Sequence, residues 1–225
     1  RRKDYPQKDI FQKEMIRIIL IGYMGAGKTT VGKALAQELN IPFYDLDWYI
    51  EERYRKTIPQ IFAEKGEEGF RDIEKKLLHE VAEFEDVIIS SGGGTPCFFD
   101  NVDYMNQQAQ TVYLKASPEV LHKHLKMGKT ERPLLKNKTE EEMITFIQTS
   151  LAEREPFYEK AQYIHNVDLL ESYEKIKDSV RLLRELLNIK VFDSEIITSQ
   201  EVKHIPEARI DPIEQSILTS IRQAT

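Results

Sequence analysis

The sequence has one cysteine, Cys97, in 225 residues, which excludes an internal disulfide. A nucleophilic thiol would need a basic partner that the sequence does not place, so Cys97 reads as a small packing residue. Long apolar runs are also missing, and none approaches the roughly 20 residues needed to cross a bilayer. The first residues carry no apolar leader, and with the lone cysteine this points to a cytoplasmic protein. Positive charge is in deficit: 32 Lys and Arg stand against 38 Asp and Glu, a net charge of −6. A general nucleic-acid binder needs a basic surface to displace counterions, so that class is excluded, and any anionic ligand must be met by a few local cations. The five histidines show no metal-ligand spacing; His122 and His124, two apart on a helical stretch, face different sides and read as surface residues.

Of only 10 glycines, three stand in GYMGAGKT, residues 22–29, and three in SGGG, residues 91–94. The first run follows the apolar stretch 15–21 and precedes the helix-forming stretch 30–39. Strand, glycine turn and helix start therefore coincide, as a phosphate-binding loop requires, because successive backbone N–H groups and the positive helix end then converge on one anion. Gly22, Gly25 and Gly27 allow the close approach, Lys28 reaches the β- and γ-oxygens, and the Thr29 hydroxyl suits a magnesium ion that keeps most of its waters. Gly25, Ala26, Gly27, Lys28, Thr29 and Thr30 form the expected nucleotide-binding set, for a nucleoside triphosphate with Mg2+.

Residues 1–14 are polar without periodicity and read as a flexible arm. Strand candidates then recur at 16–21, 43–46, 87–90, 111–114 and, more weakly, 163–165, with helical patterns between them. Such alternation predicts an α/β protein with a mainly parallel sheet covered on both faces, its ligands lying beyond the carboxyl ends of the strands. Thr57 with Gln60, Ser117 before Pro118, and Thr139 before three glutamates mark helix starts. The polar segment GKTERP, 128–133, reads as a mobile lid, and a helix over 170–187 closes the unit. Residues 189–225 hold the apolar 195–198 and a possible helix over 212–222, but no recognisable chemistry.

Asp45 and Asp47 close the second strand candidate, where alternation turns both carboxylates to one side. One can serve a metal and the other can accept a hydrogen bond from an acceptor hydroxyl; Asp47 also stands where a helix cap would, ahead of Trp48. Gly92, Gly93 and Gly94 follow the third strand and expose backbone amides to a second ligand. Arg71 and Arg154 could fork onto a carboxylate, or equally pair with Glu74 and Glu155 at the surface.

Together these motifs resemble the shikimate kinases over residues 15–187. The resemblance rests on GYMGAGKT, YDLD, TIPQIFAEKGEEGFRDIE (57–74), SGGGTP, ERPLL (131–135) and LAEREPFYEKA (151–161), in matching order and spacing. It implies a three-layer P-loop kinase fold with a central parallel five-stranded sheet, a lid at about 128–138, a kinase domain over 15–188 and an appended 189–225. It further implies ATP-dependent phosphorylation of the 3-hydroxyl of shikimate, in the route to chorismate and the aromatic amino acids, by a monomer that binds neither nucleic acid nor membrane. Carried over by position, Lys28, Asp47 and Arg132 are catalytic, with Asp47 as base and Arg132 reaching the nucleotide from the lid. Thr29 and Asp45 attend the metal; Asp47, Arg71, Arg154 and the Gly92 to Gly94 amides hold shikimate, with Glu74 steadying an arginine. The short lid, Lys126 as candidate for the adenine face, Thr95-Pro96-Cys97 in place of small apolar residues, and the extension depart from the family pattern. A gluconate or nucleoside monophosphate kinase of the same superfamily would not need YDLD, FRDIE and SGGGTP together. A non-catalytic nucleotide-binding regulator would not need Lys28, Asp47 and Arg132.

Overall fold

The structure, a computed structural model, describes residues 15–127, 139–168, 170 and 172–189. The expected arm 1–14, the lid with Arg132, and residues 190–225 lie outside the described residues. The chain divides into units 1–190 and 191–225, and everything described falls in the first.

Five strands form one sheet: β1 (Arg17–Ile21), β2 (Phe43–Asp45), β3 (Val87–Ser90), β4 (Gln110–Lys115) and β5 (Tyr163–Asn166). Their order is β2-β3-β1-β4-β5 and every neighbouring pair is parallel, in registers such as Ile18 beside Ile88 and beside Gln110. A strand covered on both faces needs apolar side chains on both, which is why RIILI and VIIS are continuous rather than alternating. Ile18 to Ile21 and Val87 to Ile89 are indeed fully buried.

Seven helices complete the described unit: α1 (Lys28–Leu39), α2 (Leu46–Tyr54), α3 (Ile58–Val81), α4 (Asn101–Gln108), α5 (Pro118–Met127), α6 (Glu140–Tyr158) and α7 (Tyr173–Leu186). Thr57 and Thr139 each make a full capping box, with Gln60 and Glu142, so both helix starts lie where the sequence predicts. α3 is broken at Gly66, where φ is 69° and ψ −176°. α7 starts later than 170 because Ser172 caps it, accepting from the Lys175 amide. No helix among the described residues is long and apolar enough to cross a membrane.

One sequence expectation is corrected here. β2 ends at Asp45, not at residue 46, because the Asp45 carboxylate turns back to accept from the Asp47 and Trp48 amides and starts α2. Asp45 is therefore the cap, and Asp47 sits in the first helical turn rather than on the strand, so strand alternation does not set their directions.

Because all strands run one way, the segments after β1, β2 and β3 open at the same edge. Residues of all three line one cleft of about 540 Å³.

Candidate active site at the carboxyl edge of the sheet

The donor side of the cleft is built from Met24, Gly25, Gly27, Lys28, Thr29 and Thr30. α1 begins at Lys28, so its first N–H groups have no partner within the helix and its positive end faces the loop. The Lys28 ammonium is nearly buried and donates to the Gly22 and Tyr23 carbonyls at 2.8 and 3.0 Å, which holds it over the loop.

Thr29 Oγ1 donates to Asp45 Oδ2 at 2.9 Å. A hydroxyl and a carboxylate this close offer the hard oxygens that magnesium prefers. No group of three or more His, Cys, Asp or Glu among the described residues could hold a metal unaided. The donor set thus fits an ion that takes its remaining ligands from water and phosphate.

The acceptor side is organised around the glycine triplet, whose members lie against different side chains. A Cβ on Gly92 would stand 2.7 Å from Asp47 Oδ1, 2.7 Å from Thr95 Oγ1 and 3.0 Å from Glu74 Oε1. One on Gly93 would lie 3.8 Å from Arg154 Nη1, and one on Gly94 3.0 Å from both terminal nitrogens of Arg71. The three predicted side chains therefore converge on the three predicted glycines, each 23 to 61 residues along the chain from the glycine it meets.

The two arginines have partners of their own. Arg71 Nη1 donates to Glu74 Oε2 at 2.7 Å, and its guanidinium carbon lies 3.9 Å from the centre of the Phe98 ring. Glu74 is 1% exposed, and its other oxygen accepts from Thr95 Oγ1 at 2.5 Å. Arg154 lies 5.4 Å from the Tyr23 ring centre. Tyr158, one helical turn beyond Arg154, is fully buried and donates to the Gly93 carbonyl at 2.6 Å. Burial pushes the Tyr158 hydroxyl well above the ordinary tyrosine range, so it stays a donor.

Asp47 has a pKa raised to about 6, first by burial and then by the carboxylates of Asp45 and Glu74, with Lys28 partly opposing. Burial likewise pushes the Cys97 thiol up, which keeps it protonated and fits a packing role.

Sequence reading missed Thr95, Phe98, Tyr158 and His124. Tyr158 carried a usable signal, its four-residue spacing from Arg154 on one helix face. His124 was read as a surface residue, yet it lines the cleft, its Nδ1 2.9 Å from the Gly25 carbonyl oxygen. Lys126, the adenine candidate, is exposed and paired with Glu140.

Comparison with known proteins gives the family of the chain. The family model described as shikimate kinase matches residues 24–199. The shikimate kinase of Bacteroides fragilis is 56% identical over 177 residues, covering 79% of this chain and 99% of that protein. That of Flavobacterium psychrophilum is 37% identical over 171 residues, 75% of this chain and 99% of the relative. Among solved structures, the shikimate kinase of Bacteroides thetaiotaomicron superposes with a TM-score of 0.76 at 55% identity, over 78% of this chain and 99% of that one. The Acinetobacter baumannii shikimate kinase in complex with shikimate gives 0.67 at 32% identity, over 80% and 97%. The chain belongs to the shikimate kinase family.

Proposed function

We propose that the cleft binds ATP over residues 25–30 and shikimate over Gly92, Gly93 and Gly94, and transfers the γ-phosphoryl group to the 3-hydroxyl, giving shikimate 3-phosphate and ADP. The observation that carries this reading is the convergence of one carboxylate and two guanidiniums on the glycine triplet, beside a phosphate loop. An anionic polyol asks for that combination: an acid for hydroxyls, arginines for the carboxylate, amides for close contact. Gluconate shares part of this chemistry, but family membership favours shikimate.

In this reading Asp47 accepts the proton of the 3-hydroxyl as its oxygen bonds to the γ-phosphorus and the bond to the ADP oxygen breaks. A carboxylate with a pKa of about 6 is ionised at neutral pH yet basic enough to take that proton. Lys28 offsets charge on the transferring group, and Thr29 and Asp45 are the residues that would hold magnesium. When bound, that ion neutralises phosphate charge. Arg71 and Arg154 grip the substrate carboxylate, with Glu74, Phe98 and Tyr23 fixing their planes.

ADP release from ATP and magnesium should depend on shikimate, with gluconate and nucleoside monophosphates inactive as acceptors. A folded protein without shikimate-dependent turnover overturns the reading. Asp47→Ala should lower kcat by about 10²–10⁴-fold, the usual worth of a positioned base. ADP affinity should stay near that of the parent; a large loss there would move Asp47 to the donor side.

A further inference from the structure

Helix α5 leans directly on the phosphate loop. Gly25 has φ +84°, and a Cβ there would lie 3.1 Å from Leu125 Cγ and 3.4 Å from the Leu121 carbonyl oxygen. From the same helix, His124 Nδ1 lies 2.9 Å from the Gly25 carbonyl oxygen. A carbonyl can only accept, so Nδ1 carries the proton and donates.

The consequence follows from peptide geometry. In a trans peptide the C=O and N–H point in opposite directions, so holding the Gly25 carbonyl towards α5 turns the Ala26 N–H the other way. That N–H donates to the Tyr23 carbonyl at 3.2 Å and closes the turn from which the loop enters α1. The imidazole also lines the cleft, together with Gly27, Lys28, Thr29 and Met127, the last residue of α5.

We infer that His124 is a positioning residue of the nucleotide site: its bond to Gly25 fixes the Gly25–Ala26 peptide, and through it the loop geometry that grips phosphate. The inference rests on the nucleotide half of the proposed function and not on the identity of the acceptor. Leu125 and Leu121 bring α5 close to the loop, and His124 sets the loop's orientation.

Three variants separate this role from mere packing. His124→Leu keeps bulk without a donor; His124→Asn places an amide N–H near the position of Nδ1; His124→Gln places it one atom further out, nearer to Nε2. The probe is ADP alone, by calorimetry, followed by KM for ATP and for shikimate. Losing one hydrogen bond to a loop carbonyl should weaken ADP and raise the ATP KM about five- to tenfold in the Leu and Gln variants. The Asn variant should stay within about twofold, and the shikimate KM should not move in any of them. Parental ADP affinity in both the Leu and Gln variants overturns the inference, as does an Asn variant impaired as much as Gln. If the parent bound ADP but failed to turn over shikimate, the proposed acceptor would fall while this comparison still stood.

Discussion

Asp47 is held where its charge is unfavourable, and the expense appears as a pH-dependent stability. Its pKa is about 6 in the fold against 3.8 ordinarily, chiefly through burial. Between those values the folded state binds the proton more tightly than the unfolded chain, so stability falls as pH rises through the window. Above pH 6 the ionised carboxylate costs the fold its full amount; below 3.8 both states are protonated and the penalty is gone. Asp47→Asn should therefore stabilise the nucleotide-free protein at pH 7 by about 1–3 kcal/mol, allowing for partial solvent access, and the gain should vanish near pH 4. Denaturant unfolding at both pH values measures it; a gain equal at both, or a loss at pH 7, would mean that Asp47 is not destabilised by burial. The acids and glycines stood out because they lie at or just after strand ends, whereas Arg71 and Arg154, inside α3 and α6, took a role only through the family resemblance. The supports did not stand out: Tyr158 meets Gly93 across 65 residues and His124 meets Gly25 across 99, and a side chain reaching a distant carbonyl leaves no local pattern.

At the scale of elements, period and punctuation carried the reading well. Continuous apolar runs marked the buried parallel strands, and the Thr57 and Thr139 capping boxes marked helix starts that tertiary packing left unchanged. The junction of β2 and α2 was misread because Asp45 and Asp47 are both competent caps, and only the fold decides which turns back. The loop after β3 is the element whose shape matters most. No positive φ is required of Gly92, so alanine there meets no backbone strain; the obstacle is the oxygens of Asp47, Thr95 and Glu74. Gly92→Ala should leave the fold and ADP affinity intact while displacing Asp47, and misplacement on the scale of 1 Å lowers kcat/KM for shikimate by about 10²-fold. An unchanged kcat/KM would show that the Asp47 carboxylate can move aside without consequence. A parallel loss of ADP binding would show that the loop supports both halves of the cleft.

At the scale of the molecule, the described part of the cleft is built on one sheet and the helices around it. Every described site residue lies between Gly22 and Leu170, and the family model ends at residue 199. Relatives matched over 99% of their own length take up only 79% of this chain. We propose that residues beyond 199, outside the stretch that the family model matches, are not needed to build the cleft. A chain ending at Gln200 retains α7, whose Val180 and Leu183 belong to the core beside α1. Removing 201–225 should leave kcat/KM for both substrates within about twofold, as expected of residues outside the stretch that the family model matches. A chain cut before α7 should instead fail to fold, since burying side chains such as Val180 and Leu183 contributes about 1.5–3 kcal/mol each. Steady-state kinetics and thermal unfolding of the two truncations separate these cases. A large loss in kcat/KM for the 1–200 chain, with its unfolding transition unchanged, would assign the extension a part in catalysis that the motifs alone do not reveal.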